Sequence, residues 1–125
     1  NAEKIAEYLK SNPKVATVNY PGFTEHQGHE IAKKQMKHFG AMISFSLKED
    51  SLEAANKVLS STKLFSLAES LGGVESLIGH PASMTHASIP LAERQKTGVV
   101  DSLIRLSIGI EDVEDLIEDL KYAIG

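Results

Sequence analysis

Apolar residues follow helical and strand rhythms over most of the chain. Ala2, Ile5, Ala6 and Leu9 stand at i, i+3, i+4 and i+7, the stripe of an amphipathic helix. Asn12-Pro13 interrupts it, since proline offers no amide hydrogen and crowds the preceding turn. Val15 to Tyr20 is a β-branched and aromatic run closing at Pro21-Gly22, which predicts a strand entering a turn. Ile31, Ala32, Gln35, Met36 and Phe39 mark a second helix up to Gly40. From Ala41 to Leu47 the rhythm changes to alternation, with Ile43, Phe45 and Leu47 set against Met42, Ser44 and Ser46, the signature of a half-buried strand. Asp50 with Glu53 resembles a capping box for a third helix whose inner face is Leu52, Ala55, Val58 and Leu59. Lys63 to Ala68 reads as a third strand.

Between Glu69 and Val100 the periodicity fades into a stretch rich in Gly, Ser, Pro and His, with one short helix predicted from Pro90 to Lys96. Long irregular stretches in compact domains tend to be functional or disordered. Leu71, Val74, Leu77, Ile78, Met84 and Ile89 supply apolar anchors, which argues for order. Leu103 to Ile110 is a fourth strand with Ile104, Leu106, Ile108 and Ile110 on one face and Leu103, Arg105, Ser107 and Gly109 on the other. Val113, Leu116, Ile117, Leu120 and Ile124 form the stripe of a last helix, and Glu111, Asp112, Glu114 and Asp115 sit where the helix dipole favours negative charge. This order predicts one α/β (α+β) domain over 1–125. Its architecture is a two-layer sandwich of about four mostly antiparallel strands with helices on one face.

A length of 125 residues suits one core, and no apolar run approaches the ~18 residues of a membrane span. A formal net charge of −4, without a basic stripe, makes nucleic acid an unexpected partner. The absence of cysteine excludes disulfides, thiolate metal sites and a cysteine nucleophile. No signal-peptide pattern is present, so the expected compartment is the cytoplasm. The first helix has no strong start signal beyond Asn1 as a possible cap, and the chain begins without methionine; it reads as a fragment.

Candidate chemistry is sparse. His26, His29 and Glu30 lie close together, but His-x-x-His-Glu matches no zinc-protease spacing, so a solvated helix start is expected and no metal site. Ser60-Ser61-Thr62-Lys63 contains Ser-x-x-Lys without the partner motifs of penicillin-recognising enzymes, and a helix end explains it. The acidic run from Glu111 to Asp119 lacks the pattern of a calcium loop and reads as a solvated face. Gly72-Gly73 after Ser70-Leu71 is either a plain turn or a place where backbone approaches a small anion beside Ser70. Arg105, inside Leu-Ile-Arg-Leu-Ser-Ile, either faces water or is buried with a partner. If it lies near Ser70, its planar fork suits a carboxylate, with the hydroxyl adding a third hydrogen bond.

Three segments carry a resemblance: Ala68-Glu69-Ser70-Leu71-Gly72-Gly73-Val74-Glu75-Ser76-Leu77, His80-Pro81-Ala82-Ser83-Met84-Thr85-His86-Ala87 and Leu103-Ile104-Arg105-Leu106-Ser107-Ile108-Gly109-Ile110-Glu111. With Val18-x-Tyr20-Pro21-Gly22 and Asp115-Leu116-Ile117-x-Asp119-Leu120, the chain resembles throughout the C-terminal domain of the pyridoxal-phosphate enzymes of cysteine and methionine metabolism. These form the cystathionine γ-synthase, γ-lyase and β-lyase family. The resemblance implies the small domain of a fold-type I enzyme, whose Schiff-base lysine and phosphate cup belong to a larger N-terminal domain. Lys63 imitates the Schiff-base sequence only superficially, and this chain by itself is expected to be inactive.

Residue by residue, the resemblance implies Arg105 as the anchor of an amino-acid carboxylate, Ser70 as its support, the Leu71 region as a wall and Thr85 at the border of the distal substrate pocket; His86 is expected to be structural. Glu69 implies a γ-type enzyme, a cystathionine γ-lyase ahead of a γ-synthase, since β-lyases and methionine γ-lyases tend to carry tyrosine or an apolar residue there. Those two, or a non-catalytic amino-acid-binding or assembly module, are the alternatives. The full-length protein is expected to be a homotetramer built from dimers, and apolar surface bared by a missing large domain is an aggregation risk.

Overall fold

The computed structural model describes residues 1–84 and 86–125. Among the described residues, five helices and five strands follow in chain order: α1 (Ala2–Ser11), β1 (Val15–Asn19), α2 (His29–Gln35), β2 (Met42–Leu47), α3 (Leu52–Ser61), β3 (Ser66–Leu67), β4 (Leu77–Gly79), α4 (Leu91–Lys96), β5 (Ile104–Ser107) and α5 (Val113–Ile124). The strands form one sheet in the order β1-β2-β5-β4-β3, with every pairing antiparallel except β3 with β4. The α/β sandwich and its mostly antiparallel sheet are as the alternation predicts. The count is five strands rather than four, because β4 has three residues, all buried, and too short a run carries no period.

Alternation along β2 and β5 sends Ile43, Phe45, Leu47, Ile104 and Leu106 into the core, where Ile5, Leu9, Val58, Leu116 and Leu120 of α1, α3 and α5 meet them. Each fully buried aliphatic side chain contributes about 2 kcal/mol by leaving water. A smaller cluster of Ala82, Val99 and Leu103 anchors the base of the irregular segment.

Several boundaries differ from expectation. β3 is only Ser66–Leu67, since the backbone of Lys63, Leu64 and Phe65 is taken by Asp119. β5 ends at Ser107, and Ile110 is 80% exposed instead of continuing the inner face. α2 ends at Gln35 with Met36 extended, and its buried residues are His29 and Ala32, leaving Ile31 and Met36 exposed. The cap of α3 is Ser51, whose hydroxyl accepts from Ala54 N at 3.0 Å; Asp50 accepts from Ser102 N instead. Asn1 does not cap α1 with its side chain, which donates to the carbonyls of Gly109 and Glu111. Among the expected anchors, Leu77 and Ile78 are buried while Leu71 and Val74 are exposed.

The motifs set aside have local explanations. Ser60 and Ser61 both donate to Lys57 O in the last turn of α3. His26 Nδ1 accepts from Gly28 N, and His29 bonds Pro21 O at 2.7 Å while stacking on Phe39. Among the described residues, no helix is long and apolar enough to cross a membrane.

Candidate functional site

Arg105 stands in β5, the middle strand, between Ser44 of β2 and Gly79 of β4. Its neighbours Ile104 and Leu106 point to the helices, so alternation turns the guanidinium to the opposite face of the sheet. There it is half-buried rather than solvated. Gly79 has no side chain to block the path across β4: a Cβ at that position would lie 3.6 Å from Arg105 Nη2 and 3.1 Å from Ala68 O.

Having crossed β4, Nη2 donates to Glu69 O at 2.8 Å and to Ser70 O at 3.4 Å. The tertiary fold thus unites Arg105 with Glu69 and Ser70 through their backbone carbonyls. Among the described residues, Nη1 and Nε have no hydrogen bond and no carboxylate pairs with the guanidinium. A half-buried cation without an anion is an arrangement that favours binding one. Beside it is a narrow, closed crevice lined by Ala68, Glu69, Gly79, His80, Pro81, Met84 and Arg105.

Glu69 and Ser70 are exposed, and Leu71 is 55% exposed at the rim. Gly72 has φ +80°, the left-handed conformation expected of the paired glycines, and its amide donates to Ser107 Oγ at 2.8 Å. Thr85, the expected border of the distal pocket, lies outside the described residues. His86 donates its amide to Pro81 O at 2.7 Å and accepts from Ile89 N.

Sequence reasoning passed over three residues that shape this region. His80, fully buried in the crevice wall, has Nε2 2.6 Å from Asp101 O and Nδ1 2.6 Å from Ser83 Oγ. A carbonyl only accepts, so Nε2 carries the hydrogen and Nδ1 accepts from the serine in the neutral ring. Asp119 is 7% exposed and accepts from the amides of Lys63, Leu64 and Phe65 at 2.8, 2.8 and 3.1 Å. Glu111 accepts from both Ser76 N and Ser76 Oγ at 2.8 Å. The acidic run is therefore not simply a solvated face: two of its carboxylates hold backbone on either side of segment 66–75. For Asp119 a signal existed, since it falls on the buried stripe with Leu116, Leu120 and Ala123.

Lys63 is placed apart from this site. Its Nζ lies 4.7 Å over the ring of Tyr122 on α5, on the helical side of the sheet.

A family model described as "Cys/Met metabolism PLP-dependent enzyme" matches residues 1–125. The chain is 60% identical over 124 residues to a cystathionine beta-lyase of Coxiella burnetii, covering 99% of this chain and 32% of that protein. It is 53% identical over 124 residues to a cystathionine gamma-lyase of Bacillus subtilis, again covering 99% and 32%. A crystal structure of cystathionine gamma synthase from Xanthomonas oryzae pv. oryzae in complex with cystathionine superposes with a TM-score of 0.89 at 49% identity, over 98% of this chain and 32% of that one. The chain thus spans about a third of the length of the curated relatives it matches.

Proposed function

Because the chain belongs to the Cys/Met metabolism PLP-dependent enzyme family, we propose that it is the C-terminal domain of a trans-sulfuration enzyme in which Arg105 anchors the α-carboxylate of an amino-acid substrate. The observation that carries this reading is the half-buried guanidinium with Nη1 and Nε unbonded and no acidic partner among the described residues. Nη2 is steadied by the carbonyls of Glu69 and Ser70, which fixes the plane of the fork. A carboxylate can then be met by two parallel N–H donors, with the Ser70 hydroxyl at the rim available for a third bond. The 69–71 segment forms one border of the substrate region, and Thr85 is assigned to its distal side.

Pyridoxal phosphate is assigned to an N-terminal large domain outside this chain, because the lysine that most resembles a Schiff-base site is packed on Tyr122 on the wrong side of the sheet. Isolated from that domain, the chain binds at most the substrate's carboxylate and does not catalyse. The whole protein is proposed to work as a homotetramer in the cytoplasm.

Within the family, Glu69 favours cleavage of cystathionine at the γ-carbon, hence a γ-lyase ahead of a γ-synthase. A second reading, cystathionine β-lyase, is favoured by the 60% identity to the Coxiella burnetii protein. Products separate the two: γ-cleavage of cystathionine releases cysteine and a four-carbon oxo acid, whereas β-cleavage releases homocysteine and a three-carbon oxo acid.

The site itself is tested in the full-length enzyme. Arg105→Ala is expected to lower kcat/KM by about 2 to 4 kcal/mol, roughly thirty- to a thousandfold, while cofactor absorbance stays intact. Arg105→Lys should recover only part of the loss, since a point ammonium cannot copy the fork. An unchanged kcat/KM in Arg105→Ala would remove the carboxylate assignment.

A further inference from the structure

Beyond Arg105, β5 and its continuation offer every second residue to the same segment. Arg105 meets the carbonyls of Glu69 and Ser70, Ser107 Oγ accepts from Gly72 N, and Glu111 accepts from the amide and hydroxyl of Ser76. Between them, Gly109 N donates to Ser76 Oγ at 2.8 Å and Ile110 N to Val74 O at 2.9 Å. A Cβ at position 109 would stand 2.2 Å from Val74 O, so only glycine admits so close an approach. Arg105, Ser107 and Glu111 therefore hold positions 69–70, 72 and 76 in the same order, while the amides of Gly109 and Ile110 tie down Ser76 and Val74 near the far end. The segment lies along the strand as a strap with a defined register.

Alternation makes this register discrete. Slipping by one residue would exchange Arg105 and Ser107 for Leu106 and Ile108, which are buried with the core and offer no polar side chain. Ser76 and Ser107 are both almost fully buried, so their hydroxyls and the amides bonded to them have no ready recourse to water if the strap moves. Glu111 closes the far end with the one charged acceptor of the series, and both of its oxygens act on a single residue.

We propose that Glu111, assisted by Ser107, is a positioning residue for the substrate site: by fixing the register of segment 69–76 on β5, it sets where the Glu69 and Ser70 carbonyls hold the Arg105 guanidinium. The proposal rests on the reading of Arg105 as the carboxylate anchor. Pairing of Ser66–Ala68 with β4 holds the near end, so with the far end released the turn after Glu69 loosens, the Ser70 carbonyl moves and the fork loses its fixed plane. An incoming carboxylate then meets one N–H where it had met two. Misplacement on the scale of an ångström in a positioned contact costs on the order of a hundredfold.

The test is made in the full-length holoenzyme with Glu111→Gln, Ser107→Ala, Arg105→Ala and the double variant Arg105→Ala/Glu111→Gln. Glu111→Gln is expected to lower kcat/KM roughly ten- to a hundredfold, mainly through KM, with unaltered cofactor absorbance. In the Arg105→Ala background, Glu111→Gln should cause no further loss, because the group through which it acts is gone. Ser107→Ala should raise KM in the same way by a smaller factor, and it decides the matter alone if Glu111→Gln does not fold. A loss by Glu111→Gln that multiplies undiminished with that of Arg105→Ala, or one confined to kcat, overturns the positioning role. So does an unchanged KM in Glu111→Gln or, where that variant does not fold, in Ser107→Ala. An inert Arg105→Ala instead brings down the reading of Arg105 itself and the inference with it, a result distinguishable from failure of the strap alone.

Discussion

Glu69 gives two different things to the site, a carbonyl and a carboxylate, and a substitution separates them. The carbonyl accepts from Arg105 Nη2 and survives any change of side chain, while the carboxylate stands exposed at the rim. An exposed carboxylate can pair with the distal ammonium of cystathionine but finds no charge on the thioether of methionine. Glu69→Val in the full-length enzyme is therefore expected to shift the ratio of kcat/KM from cystathionine toward methionine by up to about 1 kcal/mol, roughly fivefold. Competition kinetics with the two substrates measure it, and a parallel loss on both would leave Glu69 with its backbone role only. Ser70 shows how far a residue type can be read alone: its neighbourhood to Arg105 follows from a crossing over Gly79 that no local pattern announces.

At the scale of the element, α5 ties the helical layer to the loop that leads into β3. Asp112 caps it, accepting from Glu114 N and Asp115 N, and Asp119 in its second turn accepts three amides of the loop before β3. Removing a buried carboxylate with three donors leaves those amides to find water in a closed place. Asp119→Ala is expected to destabilise the chain by about 2 to 4 kcal/mol, read as a lower urea midpoint with an unchanged slope. Glu111 adds a pH dependence. Burial pushes its carboxyl up, but hydrogen bonds from the Ser76 amide and hydroxyl, with a backbone bond of its own, outweigh this and hold it below the ordinary value of 4.5. A lowered folded pKa stabilises above the unfolded value, and that stability is lost as pH falls through the folded one. The Tm difference between the parent chain and Glu111→Gln is expected to be largest near neutrality and to close as pH falls below 4.5. A constant gap across that range would assign the stabilisation to shape rather than charge.

For the whole molecule, the two faces of the sheet divide the work: one is the core against α1, α3 and α5, and the other carries Arg105 and the strap. The chain alone is expected to fold without retaining pyridoxal phosphate as a Schiff base, since Lys63 is packed over Tyr122 and away from Arg105. Absorbance after incubation with the cofactor and dialysis checks this. A retained visible band abolished by Lys63→Ala would refute it. Leu67, Leu71, Val74 and Ile110, all more than half exposed around the strap, leave apolar surface for another part of the protein to cover.

What the amino-acid order determined by itself is whatever depends on near neighbours. The stripes of α1 and α5 and the alternation of β2 appear as predicted, because a helix or strand turns a fixed angle per residue and burial follows that angle. The motifs around Glu69, Ser70 and Arg105 were legible too, as a resemblance. Tertiary structure alone decided the rest. β4 was invisible because three residues hold no period, and its place beside β5 comes from pairing across 25 or more positions. Glu111 and Asp119 read as solvated charge because their partners, Ser76 and the amides of Lys63 to Phe65, lie 35 and more residues away. A carboxylate's role is set by the donors that surround it, and here all but the Ser76 hydroxyl are backbone amides, which every residue except proline carries and no sequence pattern marks.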